Sequence, residues 1–339
     1  MRRSRLLIRP LALLACLLAS RLGAQLNPAA TQADMQRQRQ ELEETIREAR
    51  ERNKTDTEIS PELFAGEFED IGPQEILKQK RRKRWVDVRL DSQFFYTSNS
   101  GLSENADDAT LYINTVTLSL GPEMIDVAGG EIRPRFGYRH QFFNYSIFGS
   151  QAAPGVVDFD SQSIFGYVRY DTHKSWQWLL GMDYTRLVDH TPVYASFHEF
   201  YRELVPRYAV SKFIHFSESR FLGLSYQGAL HLTESPQDFI NIHSQDRVDQ
   251  ALMIGYTHGF NSRWIAQPFY RVMYNHYTHG PDRDDFVQSL GLFVFCNLTQ
   301  WLNVRAFFTH DWRESDQGII VPDYRKYDLG LALHARWKF

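Results

Sequence analysis

The sequence predicts an all-β chain: a transmembrane antiparallel up-and-down β-barrel of about twelve strands, preceded by a short N-terminal helical extension. Apolar and polar side chains alternate in segment after segment from Trp85 to Phe339, which is the period of a strand with one apolar and one polar face. The segments are also long enough, because a tilted strand of about ten residues crosses a bilayer. Finally, long polar connections alternate with mostly short ones, as they do at the two ends of such barrels.

Residues 1–24 predict a secretory signal peptide. Arginines at positions 2, 3 and 5 precede the apolar residues 11–18, and cleavage is expected after Ala24. A second interpretation is a lipoprotein signal in which Cys16 is lipidated. Both interpretations take the mature protein out of the cytoplasm.

Residues 25–82 predict a periplasmic helix and a linker. The segment TQADMQRQRQELEETIREARERN contains no Gly or Pro and is rich in Glu, Arg and Gln, so it favours a helix. Its apolar residues form a narrow stripe, and two interpretations stay open: a solvated tether, or a short coiled coil through which residues 31–53 bind a periplasmic partner or another copy of the chain. A basic run from Lys78 to Arg84 follows and marks the start of the barrel domain, residues 83–339.

Each predicted strand of the barrel has an apolar face for lipid and a charged face for the interior. In the first strand, Val88 and Leu90 alternate with Asp87 and Arg89. A secreted β-sandwich is disfavoured, because its dry core could not bury so many charges. Tryptophans recur at one predicted end of the strands, where their amphipathic rings suit the membrane interface. In chain order, the predicted strands lie near residues 85–97, 109–121, 131–143, 163–172, 175–185, 198–211, 221–232, 247–258, 263–277, 286–297, 301–313 and 327–339.

The last strand, YDLGLALHARWKF, alternates strictly and ends on an aromatic residue. This resembles the C-terminal strand of bacterial outer-membrane β-barrels, which typically finish on a terminal aromatic. The resemblance implies an integral protein of the bacterial outer membrane, surrounded by lipid and lipopolysaccharide. It also implies that the barrel assembly machinery recognises Tyr327, Trp337 and Phe339 as an assembly signal. An even number of strands further predicts that both termini are periplasmic.

The charged face of the predicted barrel supplies the candidate site residues. Two interpretations stay open: salt bridges that fill a narrow barrel, or a water-filled passage whose slight basic excess favours anions. The predicted pore-lining residues are Arg89, Arg133, Arg135, Arg139, Arg169, Arg207, Arg271, Arg305, Asp87, Asp91, Asp183 and Glu203.

Three functions are compatible with this barrel. The first is a porin-like passive channel for small solutes, with anions favoured. The second is an outer-membrane-anchored structural or interaction module that acts through its periplasmic N-terminal helix. The third is an outer-membrane lipid-modifying hydrolase, since GYTHGFNSRW superficially resembles the histidine region of outer-membrane phospholipases. His258 would be that histidine, but Phe260 stands where that family has its serine, so no catalytic residue is predicted.

The composition of the chain bears on metal sites, cofactors and nucleic-acid binding. The chain has two cysteines and no CxxC, so no metal site is predicted, and no motif predicts a cofactor. A net charge of −3 gives no argument for nucleic-acid binding.

Overall fold

The computed structural model describes residues 28–41, 43–44, 47, 84–102, 107–122, 124–145, 158–172, 175–189, 198–217, 219–235, 242–279, 283–317 and 323–339. The predicted signal peptide with Cys16, the linker and most of the basic run lie outside these residues. Helix α1 comprises residues 28–41, 43, 44 and 47. No helix in this described part of the chain is long and apolar enough to cross a membrane.

Thirteen strands are present in the described residues, and twelve of them close into an antiparallel barrel. Each of the twelve pairs with its neighbours in the chain, and β1 pairs with β13 to close the ring. The short β3 pairs with β4 alone, while β2 pairs with β4 past it. The strands are β1 (Val86–Thr97), β2 (Ala109–Leu120), β3 (Ile125–Val127), β4 (Gly130–Asn144), β5 (Phe159–Thr172), β6 (Trp176–Asp189), β7 (His198–Ser217), β8 (Arg220–Glu234), β9 (Arg247–Gly259), β10 (Trp264–Tyr277), β11 (Arg283–Asn297), β12 (Leu302–Ser315) and β13 (Tyr324–Lys338).

The outer face of the barrel is apolar. Leu180 is 70% exposed, Leu252 63% and Leu331 59%, and many large apolar side chains share this face. An apolar surface of this extent belongs in lipid and not in water. Trp301 and Trp337 stack near one rim, with ring centroids 5.8 Å apart. The predicted fold, a transmembrane antiparallel β-barrel of about twelve strands, is therefore confirmed.

The two ends of the barrel differ in their connections. We call the end with Trp85 and Phe339 the terminal end, and the opposite end the loop end. Connections at the loop end include residues 98–108, 145–158 and 235–246, which are longer than residues 173–175 and 260–263 at the terminal end. The final residue completes the ring at the terminal end, where the Phe339 N–H donates to the Val86 carbonyl (2.8 Å) and the Phe339 carbonyl accepts from the Trp85 N–H (2.7 Å). The role of Tyr327, Trp337 and Phe339 as an assembly signal stays a prediction.

Helix α1 lies inside the barrel. Near the loop end, Lys326 Nζ on β13 donates to Gln32 Oε1 (3.5 Å). Near the terminal end, Arg47 Nη1 lies 2.8 Å from His334 Nε2. At 1.5 Å per residue, a helix from 28 to 47 is about 28 Å long, close to the thickness of the hydrocarbon core.

The expected periplasmic position is therefore wrong for the described part of the helix. The physical reason is that the wall presents buried charges, and the helix supplies partners for them. The second predicted function, an anchor acting through an exposed periplasmic helix, loses its basis for the same residues. The first described residues lie at the opposite end of the barrel from Phe339, whereas residues 1–27, which bear on the predicted position of the N-terminus, lie outside the described residues.

Candidate functional site

The candidate site is the lumen, and its loop end is apolar. We define the apolar collar as the buried residues Phe95, Leu111, Ile113, Phe143, Tyr145, Phe159, Leu187, Phe200 and Tyr201. Phe143 and Phe159 stack with ring centroids 4.3 Å apart. Ala29, Ala30 and Ala33 of α1 pack against this cluster. Their small side chains let the helix backbone approach the wall closely, so the collar closes around the start of α1.

Below the collar, four wall arginines each bridge one wall aspartate and one carboxylate of α1. Two have contacts of ordinary length on both sides. Arg247 Nε lies 3.0 Å from Asp249 Oδ1, and its Nη2 lies 3.2 Å from Asp34 Oδ2. Arg89 Nε lies 3.0 Å from Asp87 Oδ1, and its Nη1 lies 2.6 Å from Glu44 Oε2. The wall aspartate therefore orients the guanidinium, and the helix uses its remaining donors.

The other two bridging arginines follow the same pattern. Arg207 Nε lies 2.7 Å from Asp183 Oδ2 and donates to Glu41 through Nη1. Arg305 Nη2 lies 3.7 Å from Asp91 Oδ1 and donates to Glu43 through Nη1. We refer to Arg89, Arg207, Arg247 and Arg305 as the bridging arginines.

Two arginines of α1 pair with carboxylates of the wall, so in these pairs the helix supplies the positive charge. Arg37 Nη1 lies 3.0 Å from Glu203 Oε1 on β7. Arg39 Nη2 lies 3.2 Å from Asp328 Oδ2 on β13, and its guanidinium carbon stands 4.7 Å from the Phe307 ring centroid. Charge is thus matched in both directions across the interface between helix and wall.

One cluster near the loop end has the composition of a metal site. Donor atoms of Asp34, His231 and Asp249 all lie within 4.8 Å of one another. His231 Nδ1 lies 3.0 Å from Glu203 Oε2, and Nε2 lies 3.0 Å from Asp249 Oδ2. Arg247 contacts both aspartates, and its positive charge repels a cation at this position. The cluster joins α1 to β7, β8 and β9 as a network of ion pairs.

The structure places the twelve sequence-predicted site residues on the inner face of the wall. Arg89, Arg207 and Arg305 contact the helix, as does Glu203, and Asp87, Asp91 and Asp183 form ion pairs with these arginines. Arg271 donates to Gln38 of α1. Near the terminal end, Arg133 lies 3.4 Å from Asp171 and Arg135 donates to the Gly121 carbonyl. Arg169 is buried beside the helix. That these residues line a passage for solutes stays a prediction.

Arg139 differs from the bridging arginines. It is 6% exposed and lines a cavity of about 250 Å³ between helix and wall. Its guanidinium carbon stands 5.2 Å from the Phe165 ring centroid. It makes no hydrogen bond or salt bridge to any residue that the structure describes, and its Nη1 is buried. The cavity therefore presents a cation whose donors have no partner among the described residues.

Sequence reasoning missed the helix side of the site and the collar. The missed helix residues are Asp34, Arg37, Arg39, Glu41, Glu43, Glu44 and Arg47. A detectable pattern existed for the collar, since Phe95, Phe143 and Phe159 occupy the inward parity of their strands close to one end. For the helix, the available indication was its set of carboxylates beside an arginine-rich wall.

His258, the candidate histidine of the hydrolase hypothesis, lies on the outward parity of β9. Its Nδ1 is 3.4 Å from the Tyr256 hydroxyl, and its ring centroid is 4.5 Å from that of Phe260. Ser262 is exposed in the following turn. These contacts are those of an aromatic residue near the membrane interface.

A scan against protein-family models finds no match, and a search of the curated proteins finds none. Solved structures do resemble the chain. An outer membrane channel from Pseudomonas putida F1 has a TM-score of 0.46 and 12% identity, covering 81% of this chain and 100% of the other. The β domain of the Bordetella autotransporter BrkA has a TM-score of 0.44 and 13% identity, covering 76% and 100%. The transport unit of the autotransporter AIDA-I from Escherichia coli has a TM-score of 0.41 and 11% identity, covering 77% and 93%.

Proposed function

We propose that the protein is an outer-membrane channel for small solutes whose lumen is closed by its own N-terminal helix. The observation that carries this proposal is the charge-matched interface between α1 and the wall. A barrel that serves only as an anchor can be filled by its own side chains. Here the wall leaves room for a whole helix and is polar for most of its depth, as a water-filled passage requires.

The contacts that hold α1 allow it to leave. The described residues of α1 belong to no sheet and meet the wall through side chains, so its departure leaves every strand pairing intact. Buried ion pairs contribute little net stability, because the desolvation of both charges offsets their attraction. The apolar contacts at the collar involve alanines, which bury little area. Below the collar, release into water therefore exposes groups that water solvates well.

The same wall favours anions. Three wall arginines form no salt bridge with a described residue: Arg135, Arg139 and Arg271. Among the buried wall aspartates, Asp311 likewise forms no salt bridge with a described residue. The described helix residues carry four carboxylates and three arginines, so departure of α1 makes the lumen more positive by one charge. Fixed cations beside low-dielectric walls concentrate anions.

Single-channel recording on the full chain tests this proposal. The triple variant Glu41→Gln, Glu43→Gln, Glu44→Gln removes three helix anions and loosens α1, so we expect a higher open probability than in the wild type. Glu234→Gln is the matched control, because Glu234 pairs with Arg202 outside the lumen (side chains 41% and 43% exposed). In a salt gradient the reversal potential should indicate anion preference. The absence of conductance in the triple variant would contradict a channel, provided that maleimide labelling of a cysteine introduced by Gln36→Cys shows that α1 has been released.

A further inference from the structure

The bridging arginines are distributed along the lumen and do not form one cluster. Their partners on α1 are Asp34, Glu41, Glu43 and Glu44. From position 34 to position 44 the helix rises about 15 Å. Arg247 is the first residue of β9, at the loop end, whereas Arg89 is the fourth residue of β1, toward the terminal end. The cations therefore form a series along the axis of the barrel.

Each bridging arginine has an acidic partner on the wall, and Arg89 and Arg247 donate hydrogen bonds to theirs. Asp87, Asp91, Asp183 and Asp249 belong to the wall and stay in place when α1 leaves. A guanidinium group has five donors in a fixed plane, so one aspartate leaves several donors for another oxyanion. The wall thus keeps four arginines in series, each beside an aspartate and each with donors for another oxyanion.

We infer that the carboxylates of α1 occupy the binding track of a linear polyanion, and that such a polyanion opens the barrel by displacing the helix. This inference rests on the proposed function and names its solute class: a chain carrying several carboxylates or phosphates. A monovalent anion can replace one helix carboxylate at a time, and the other three keep α1 in place. Linked anions that bind in succession gain from high effective concentration, as α1 itself does.

Arg139 provides the first contact for such a solute. Its donors are free of described partners, and it lines the cavity together with Arg207 and Glu41. An anion bound at Arg139 stands beside the bridge between Arg207 and Glu41, where it competes for the same guanidinium. Displacement of the helix can therefore begin in the cavity without prior loss of a bridge.

The test measures exposure of α1 in the full chain. Gln36 faces the wall and is 1% exposed, so a cysteine there reports release of the helix. In a Cys296→Ser, Gln36→Cys protein, the rate of maleimide labelling is measured alone and with oligoglutamate, polyphosphate, neutral dextran or NaCl at matched ionic strength. We expect oligoglutamate or polyphosphate to raise the rate about tenfold or more, with dextran and NaCl far less effective. The more effective of the two identifies the oxyanion type.

Two further variants make the result specific. Arg139→Gln should reduce the acceleration by polyanion, expressed relative to that variant's own rate without polyanion. Arg202→Gln, on the outer face, should leave it unchanged. Equal acceleration by NaCl, or none by either polyanion, overturns the inference. Conductance separates the two proposals: a conducting barrel that no polyanion opens refutes the polyanion track alone, and a helix that polyanions displace from a silent barrel refutes the channel alone.

Discussion

At the residue scale, Arg305 shows how strongly the lumen depends on paired charges. It is 1% exposed, and it contacts Glu43 on the helix and Asp91 on the wall. Its guanidinium also stands 5.6 Å from the Phe307 ring centroid. Removing one partner of a buried ion pair destabilises the packed state more than replacing both partners with apolar residues. The reason is that the remaining charge stays buried without an opposite charge beside it.

The first prediction follows from this asymmetry. Glu43→Gln should lower the free energy of helix release by about 3 kcal/mol, whereas Glu43→Met combined with Arg305→Met should lower it by less. Labelling at Gln36→Cys measures release in both proteins. If the double variant releases α1 more readily than the single one, the pair itself holds the helix, and uncompensated burial is the wrong explanation.

At the element scale, local patterns predicted the strands but not the position of the helix. Alternation is a property of neighbouring residues, so β1 and β13 could be recognised from their own sequences. The charges of α1 show that it needs polar surroundings, and both water and the lumen satisfy that need. Choosing between water and the lumen requires two properties of the barrel, which are encoded far from the helix in sequence. The inner wall must be rich in arginine, and the twelve-stranded barrel must be wide enough for a helix of about 10 Å diameter. The sequence therefore shows Arg305 and Glu43 as two charged residues, but it does not show that they contact each other.

A second prediction concerns the pairing of β1 with β13. Gly330 on β13 faces Phe95 of the collar, and a Cβ added there would lie 2.2 Å from Phe95 Cβ and 2.5 Å from the Phe94 carbonyl oxygen. Because that oxygen is backbone, Gly330→Ala should force the two strands apart and lower stability by about 1–3 kcal/mol. Gly255→Ala is the control, since its nearest neighbour would be 3.7 Å away. Heat-modifiability on gels reports the folded fraction, and equal loss in both variants would refute the steric argument.

At the scale of the whole molecule, the two ends of the barrel predict its orientation in the membrane. Outer-membrane barrels place longer loops outside and short turns in the periplasm. His279→Cys, at the loop end, should react with an impermeant maleimide on intact cells. Asn261→Cys, in an exposed turn at the terminal end, should react only after the cells are permeabilised. Both need the Cys296→Ser background, and the reverse pattern would invert the assignment.

The pairing of the first strand with the last one also determines when the lumen becomes a closed compartment. Until β13 pairs with β1, one edge of β1 has no partner, and the sheet is an open curved ribbon. Helix α1 precedes β1 in the chain, yet it finishes enclosed by all twelve strands. It must either rest on the open ribbon before the final strand joins, or pass lengthwise through a finished ring. The first route lets the ion pairs of α1 guide the curvature of the ribbon, so the helix that closes the mature lumen would also act as an internal template on which the barrel is wrapped.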